Sequence, residues 1–350
     1  MLKINKKTLF TVIGSFLLFF ALLLIFISLS PTPEDQYFKQ MYSFPERQLK
    51  SYNFNAESDL ISRVAPPPDS ILKMLRKLDN CPAYIPYKPT KDEMKIIEES
   101  LDLLPPAFKD ILKLRLVNIY FVKNYYGGGI TDWILDEKGK IYFYIVFNPE
   151  TLKMSASDWF TYRDNSCFVK DTKKIKIKID CGKKHKAFIG VLLHETAHVV
   201  DCVLKITPYL DDDTYMLYKY KKMKVAITPF VKDDWMSIYL PSRVNDFHLR
   251  EMITFYGLNN GPKINISDVK TVYNGLSKTR LVSLYSSKSW AEDSAEFMAF
   301  SYFVRELNQP YVITLFDGKK KIYSYEPMKN KQVANRHLPI NVFYGTDSTN

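Results

Sequence analysis

The chain has 350 residues, of which 46% are hydrophobic and 15% aromatic, and its formal net charge is +11. This composition supports one large domain, or two subdomains around a cleft. The lysines are scattered or alternate with isoleucines, and no arginine-rich block or nucleic-acid-binding motif occurs, so a solvated basic face is favoured and no nucleic-acid partner is expected.

The N-terminus combines a short basic tail, residues 1–7, with an uncharged apolar run, residues 8–30. A run of this length spans a hydrocarbon core of about 30 Å as a helix. A cleavable signal peptide, with secretion after cleavage near residue 30, is the alternative, but its apolar region is usually shorter and Pro31 would follow the cut. The lysines before the run and the acids after it predict a cytoplasmic N-terminus and a body outside the cytoplasm, in the periplasm or at the cell exterior.

Residues 31–68, bounded by prolines, are predicted to form a stalk. Three helices are then expected: residues 71–80, a second segment capped by Thr90, and Ala107 to Lys123. The pattern next becomes β-like, with a hairpin formed by residues 133–135 and 141–147, an extended or looped segment at 157–168, and the alternating strand 174–180. The run Gly127-Gly128-Gly129 predicts a flexible turn. An extended partner chain would lie along strand 141–147 or strand 174–180.

Cys81, Cys167, Cys181 and Cys202 contain no C-x-x-C pair, which makes a structural zinc ribbon improbable. Outside the cytoplasm, two disulfides are possible, and Cys167–Cys181 is the preferred pair because these residues flank one strand. Four buried free thiols are the alternative.

The segment Phe188 to Asp201 contains the motif His194-Glu195-Thr196-Ala197-His198, an H-E-x-x-H pattern without proline. On a helix, residues i and i+4 share one face, so both imidazoles can reach one zinc ion at about 2.0–2.1 Å. Glu195 would stand beside them as a proton acceptor. The alternative is a buried helix whose histidines form local hydrogen bonds.

A catalytic zinc needs a third protein ligand and one open position. Asp201 and Leu204 stand where an H-E-x-x-H-x-x-G-x-x-H extension would place glycine and histidine, so the ligand must come from farther along the chain. Helices are expected at 211–224, at 243–257 and at 289–308, the last capped by Ser289. Glu292 on this last helix is the first choice of ligand, and Glu296 and His248 are the alternatives.

The motifs H-E-T-A-H and E-D-S-A-E resemble those of the gluzincins, zinc peptidases whose third ligand is a glutamate. This resemblance implies that Glu292 is the ligand and that Glu296 orients His194. These motifs bear a closer resemblance to the peptidase domain of lethal-factor-type toxins, which implies that Tyr285, seven residues before Glu292, stabilises the tetrahedral intermediate; an ordinary packed or surface tyrosine is the alternative. The likeness covers short motifs within residues 188–303.

The sequence therefore predicts an α+β, zincin-like fold with a small mixed sheet, an active-site helix, a mostly helical C-terminal subdomain and one N-terminal transmembrane helix. The predicted boundaries are 69–204 for the helices, sheet and H-E-x-x-H helix, and 205–350 for the subdomain with the third ligand. The predicted activity is that of a membrane-anchored metalloendopeptidase with one Zn²⁺ per chain and a protein or peptide substrate. The competing interpretation is a catalytically inactive, membrane-tethered binding module.

Overall fold

The computed structural model describes residues 31–336, Leu338 and Asn341–Tyr344, together with Phe19 and Phe20. Apart from those two phenylalanines, the predicted basic tail and membrane anchor lie outside the described residues. Among the described residues, only one helix, Ala187–Leu204, is long and apolar enough to cross a membrane, and 78% of its most apolar window is buried inside the protein.

The described residues form eleven α-helices and nine strands, apart from short 3₁₀ turns. The helices are α1 (Pro33–Ser43), α2 (Asp69–Leu78), α3 (Lys91–Asp102), α4 (Pro106–Arg115), α5 (Ala156–Asn165), α6 (Ala187–Leu204), α7 (Asp212–Tyr220), α8 (Val269–Leu276), α9 (Trp290–Arg305), α10 (Lys331–Ala334) and α11 (Asn341–Tyr344). The strands are β1 (Ile85–Pro86), β2 (Leu116–Lys123), β3 (Gly129–Leu135), β4 (Ile141–Phe147), β5 (Phe168–Val169), β6 (Ile175–Asp180), β7 (Ile264–Asn265), β8 (Val312–Asp317) and β9 (Lys320–Tyr325).

A four-stranded mixed sheet in the order β1-β2-β4-β3 is the largest of the three sheets formed by these strands. Strand β4 pairs in parallel with β2 and antiparallel with β3, so β3 is an edge strand. The predicted β3–β4 hairpin is therefore confirmed. A three-stranded antiparallel sheet in the order β6-β8-β9 and a small β5–β7 pair complete the β-structure.

The mixed sheet is buried on both faces because its strands carry apolar side chains in both directions. One face, represented by Trp133, Phe143 and Ile145, joins the main core, which also contains α6 and α9. The other face, represented by Ile134 and Tyr144, packs against α2 in a second core. The chain is thus an α+β protein with small sheets, as predicted, and one sheet supports helix α6.

The prediction of one helix from Ala107 to Lys123 is wrong in its second half. Helix α4 ends at Arg115, and residues 116–123 form strand β2. The segment LVNIYFVK contains β-branched and aromatic residues that are almost all buried, which suits a central strand covered on both faces.

Two further predictions of secondary structure are wrong. Residues 157–168, expected to be extended or looped, mostly form helix α5, where the Ser155 side chain accepts a hydrogen bond from the Asp158 N–H. Residues 243–257, expected to be helical, contain only a 3₁₀ turn at Arg250–Met252, because Leu249 and Tyr256 adopt left-handed backbone conformations that interrupt a helix.

Residues 31–68, predicted to be a stalk, contain α1 and several 3₁₀ turns that contact the body. Arg47 is buried, forms an ion pair with Asp132 and donates a hydrogen bond to the Trp133 carbonyl. Arg63 is also buried and donates to the carbonyls of Leu112 and Leu116. These contacts attach the segment to the mixed sheet and to helix α4.

The predicted Cys167–Cys181 disulfide is wrong, since all four cysteines are free thiols. The Cys167 sulfur instead faces the carbonyl of Arg163, 3.9 Å away at the end of α5. Burial raises the pKa of both Cys167 and Cys181, so neither thiol is easily ionised.

Candidate metal centre

Helix α6 carries His194, Glu195 and His198 in the interior of the protein. Apolar side chains bury most of its surface, and α6 packs against α9, α5 and strand β3. The helix ends at Leu204, and the next residue, Lys205, has a left-handed backbone and donates its N–H to the Asp201 carbonyl. The two imidazoles lie on one face, with ring centroids 4.9 Å apart.

Helix α9 supplies the acidic side chains. Ser289 caps it as predicted, and its side chain accepts a hydrogen bond from the Glu292 N–H. Within the described part of the chain, the Glu292 carboxylate does not return to the cap, because it turns towards α6 instead. Asp293, the next residue, is fixed by two hydrogen bonds of 2.7 Å from Arg336, which hold the first turn of α9 in place.

Three donor atoms from these two helices converge. His194 Nε2 lies 3.3 Å from His198 Nε2 and 3.1 Å from Glu292 Oε2, and His198 Nε2 lies 3.6 Å from the same carboxylate oxygen. A tetrahedral zinc ion with bonds of about 2.0–2.1 Å separates its ligand atoms by about 3.3 Å. Glu292 Oε2 is buried and, within the described residues, has no hydrogen-bond partner despite the short distance to the imidazole. The donor set therefore fits one cation.

The electric field at this point favours positive charge. Burial disfavours a charged imidazole, but the carboxylates of Glu292 and Glu296 outweigh it and raise the pKa of His194 to about 10. Burial likewise opposes ionisation of Glu292, yet the two histidines hold its pKa well below the ordinary value. A proton or a metal cation is therefore stabilised between these groups.

Glu296 lies behind His194, on the side of the imidazole away from Glu292. Its Oε1 is 2.9 Å from His194 Nδ1, although the N–H direction is poorly aligned for a hydrogen bond. Arg163 Nη1 lies 3.0 Å from both carboxylate oxygens, and the Ser283 hydroxyl donates a hydrogen bond of 2.5 Å to Oε2. Burial opposes ionisation of Glu296, but Arg163 and His194 lower its pKa below the ordinary value.

Arg163 extends this network away from the cleft. Its Nε lies 3.1 Å from Asp164 Oδ1, and Asp164 Oδ2 accepts a hydrogen bond of 2.7 Å from the Tyr273 hydroxyl. Neither Arg163 nor Ser283 was predicted from the sequence. Arg163 belongs to a segment that was not expected to be helical, and no short motif connects it to Glu296.

Glu195 is held against strand β3. The Thr131 hydroxyl lies 2.8 Å from Glu195 Oε2 and 2.8 Å from the Glu195 carbonyl. Burial raises the pKa of the Glu195 carboxyl, against the opposing effect of the two histidines. A carboxylate whose pKa lies above its ordinary value is a better proton acceptor near neutral pH.

The glycine run at the start of β3 allows this contact. A Cβ atom on Gly129 would lie 2.9 Å from Glu195 Cγ, and one on Gly128 would lie 3.0 Å from a methyl group of Val191. The sequence predicted a flexible turn at residues 127–129. The structure instead assigns Gly129 to an ordered strand, where a missing side chain lets the strand approach α6.

A cleft of about 330 Å³ opens over the three donor atoms. Tyr285 lines it, with its ring centroid 5.5 Å from that of His194 and 4.8 Å from that of Phe255. The negative charge of Glu292, and then burial, raise the pKa of Tyr285, so the phenol stays protonated and able to donate. Tyr256 and Trp159 line another part of the cleft.

The ligand candidate His248 and the two strands that the sequence predicted for peptide binding lie outside the site. His248 is exposed and lines a separate surface pocket. Strand β4 lies between β2 and β3 and has no free edge for a peptide. The outer edge of β6 is covered by α5, whose Thr161 hydroxyl accepts a hydrogen bond from the Ile179 N–H. The prediction that a peptide binds along strand 141–147 or strand 174–180 is therefore wrong.

The fold and the site together define an α+β protein with a buried histidine, a half-buried histidine and a glutamate at the base of an open cleft. No protein-family model, curated protein or solved structure matches this chain. What the chain does is therefore inferred from the chemistry of its site.

Proposed function

We propose that this chain is a zincin-like, gluzincin-type zinc metallopeptidase, in which His194, His198 and Glu292 hold one Zn²⁺. The observation that carries the proposal is the convergence of these three donor atoms, 3.1 to 3.6 Å apart, beside the carboxylate of Glu195. A structural zinc site is normally closed by four protein ligands, whereas a catalytic site has three and keeps one position open. The open cleft above the donor atoms favours the catalytic kind.

When bound, zinc acidifies water and polarises the carbonyl of a peptide bond. Glu195 accepts the proton of the attacking water and returns it to the leaving amine. Thr131 keeps the Glu195 carboxylate in one orientation through its hydroxyl. Tyr285 donates a hydrogen bond to the oxyanion that develops on the former carbonyl oxygen.

Glu296 holds His194 so that Nε2 faces the cation, and Arg163 and Ser283 hold Glu296 in turn. Partners of this kind fix the tautomer and the ring orientation of a metal-binding histidine. Because the side chains of Glu296, Arg163 and Ser283 are all buried, their orientation is set by the protein and not by solvent.

Strand β3 is the binding edge that we infer for an extended peptide. The Asn148 N–H donates to the Gly128 carbonyl, and in an antiparallel pair the hydrogen-bonded positions alternate. The backbone groups of Gly129 and Thr131 therefore point away from β4, and they have no backbone partner within the described residues. Farther along, Arg47 already occupies the Trp133 carbonyl, which limits the free edge to the part beside Glu195.

The competing proposal is a catalytically inactive, membrane-tethered binding module with the same fold. The buried Glu195 beside the histidines argues against it, because a buried carboxylate is costly and a structural metal site has no use for a base there.

For either function we propose that residues 8–30 anchor the chain and that its body lies outside the cytoplasm, with release by cleavage near residue 30 as the alternative.

Replacing Glu195 with Gln tests the proposal. The variant keeps the shape and the donor set but cannot accept a proton, so we expect zinc content near one per chain and loss of peptide-library cleavage by about 100-fold or more. Zinc is measured by atomic emission on the purified full-length chain, and cleavage by mass spectrometry of the digest.

Glu251→Gln is the matched control, because Glu251 is exposed and lies outside the cleft, and it should cleave like the unmodified chain. Cleavage by the Glu195→Gln variant at the rate of the unmodified chain would show that Glu195 is not the base. Zinc binding without cleavage by the unmodified chain would favour the binding module.

A further inference from the structure

The net charge of the chain is concentrated in two segments. Residues 170–186 contain eight lysines and two aspartates, and residues 317–321 contain three lysines and one aspartate. These segments hold a net charge of +8 and, with the three lysines of residues 1–7, account for the whole +11. The remaining residues are balanced, so beyond residues 1–7 the net positive charge belongs to these two segments and not to the surface in general.

The two charged segments are neighbours in space. Strand β6 pairs with β8 from Ile175 opposite Asp317 to Asp180 opposite Val312, and the Gly318 N–H donates to the Lys174 carbonyl. On β6 the isoleucines at 177 and 179 are buried, whereas Lys176 and Lys178 are exposed. We call the lysines of residues 170–186 and 319–321 the basic face, and all of them are exposed.

Among the residues that the structure describes, no carboxylate forms a salt bridge with the basic face. The lysine salt bridges within the described residues belong to Lys95, Lys153 and Lys329, none of which is part of this face. Like charges at this density repel one another, which costs folding free energy unless an external anion compensates.

Protection of a sheet edge does not explain these lysines. Edge lysines commonly prevent strand-to-strand aggregation. Here helix α5 already closes the β6 edge: the Ser157 hydroxyl accepts from the Cys181 N–H, and Asn165 donates to the Ile177 carbonyl. The lysines are therefore left without a structural role at this edge.

The chemistry of the basic face suits a partner whose surface carries many phosphate groups. It contains lysines and no arginine, and a lysine is a hydrated point charge that attracts phosphate without the fork geometry used for specific recognition. The exposed side of the sheet carries one half-buried aromatic residue, Phe316, between Lys176 and Lys321. Single-stranded nucleic acids are bound on rows of stacking aromatics, which this side lacks.

We propose that the basic face docks on an anionic phospholipid surface and so fixes the orientation of the body above the membrane. Clusters of lysines near an anchor are attracted by acidic lipids over a Debye length. The predicted anchor at residues 8–30 would keep the body next to a membrane surface. The proposal is independent of peptidase activity.

The test is an amine-labelling footprint of the full-length chain in nanodiscs. One set of discs contains phosphatidylcholine alone, and the other contains phosphatidylcholine with phosphatidylglycerol. Mass spectrometry follows the acetylation rate of Lys178, Lys184 and Lys320, with Lys88 and Lys113 as internal controls. We expect several-fold slower labelling of the basic face in anionic discs, reversal at high salt, and unchanged controls.

The variant Lys176→Glu with Lys178→Glu should remove the lipid-dependent difference at Lys184 and Lys320. The variant Lys88→Glu with Lys113→Glu has the same change of charge elsewhere and should keep that difference. Equal labelling of the unmodified chain in both discs overturns the proposal. Protection by soluble polyphosphate but not by anionic discs overturns it as well, because the partner would then be a polymer.

Discussion

At the scale of single residues, the site depends on a buried network of charges in which Arg163 pairs with Glu296 and Asp164. This guanidinium lies 3.0 Å from both oxygens of Glu296, and Glu296 contacts His194. Arg163→Met would leave two buried carboxylates, those of Glu296 and Asp164, without their cation, at a cost of at least about 3–5 kcal/mol in the free energy of unfolding. The released Glu296 carboxylate would also no longer orient His194, and we expect zinc affinity to fall about 10–100-fold.

The measurement is competition for zinc with a chromophoric chelator, alongside thermal unfolding. Arg163→Lys keeps the charge and should lose less affinity than Arg163→Met. In the double variant Arg163→Met with Glu296→Gln, the charge of Glu296 is absent and only Asp164 lacks its cation, so part of the stability should recover while zinc affinity stays low. Recovery of zinc affinity together with stability would show that Arg163 serves the fold alone.

The residues that the sequence predicted and those that it missed differ in how they reach the site. His194, Glu195 and His198 follow from one helical period, and the structure brings them together as expected. Glu292 and Glu296 are also one period apart, so spacing left open which of them faces the imidazole Nε2 atoms. Thr131 and Arg163 depend on the packing of distant segments, which no local pattern encodes.

At the scale of elements, strand β3 and helix α6 are closely spaced because Gly129 has no side chain. A Cβ there would lie 2.9 Å from Glu195 Cγ and 3.0 Å from the Val146 carbonyl oxygen, so one of these neighbours would have to shift. Gly129→Ala should therefore cost about 1–3 kcal/mol of stability. We also expect it to displace Glu195 and reduce peptide cleavage more than tenfold.

Gly127→Ala is the matched control on the same run. Its Cβ would meet no atom closer than 3.5 Å, so it should retain both stability and cleavage. Urea unfolding and digestion of a peptide library measure the two effects. Equal behaviour of the two variants would mean that the spacing of β3 and α6 does not position the base.

Secondary-structure elements were predicted correctly where a pattern among neighbouring residues identifies them. Strand β6 alternates strictly, and α9 has a serine cap, so both were predicted close to their observed bounds. Strand β2 was taken for a helix because a fully buried strand has no alternation to distinguish it. Helix α5 was missed because its polar and aromatic residues contact several different neighbours, and no single face is apolar.

At the scale of the whole molecule, the proposed cation connects two distant parts of the chain. His194 and His198 come from the helix that follows β6, and Glu292 comes from the helix that precedes β8. Helices α6 and α9 pack directly against each other. The donor atoms therefore come together only in the folded chain, and a cation held by them should favour the folded state.

Zinc removal should accordingly lower the stability of the whole fold. At a free zinc concentration 100 times the dissociation constant, a single site stabilises the folded state by about 2.7 kcal/mol. We expect a chelator to lower the midpoint of thermal unfolding of the full-length chain, and added zinc to restore it. Because the donors come from both helices, the loss should appear in one cooperative transition and not as melting of one segment.

His198→Ala removes one donor and should abolish the zinc-dependent shift of the midpoint. His248→Ala, which changes an exposed histidine outside the cleft, should keep the full shift. Differential scanning calorimetry with and without zinc measures both variants. A cation held by this donor set depends on His198. An equal zinc-dependent shift in His198→Ala and in the unmodified chain would therefore show that zinc stabilises the protein from adventitious surface sites, and the thermodynamic support for the site would be lost.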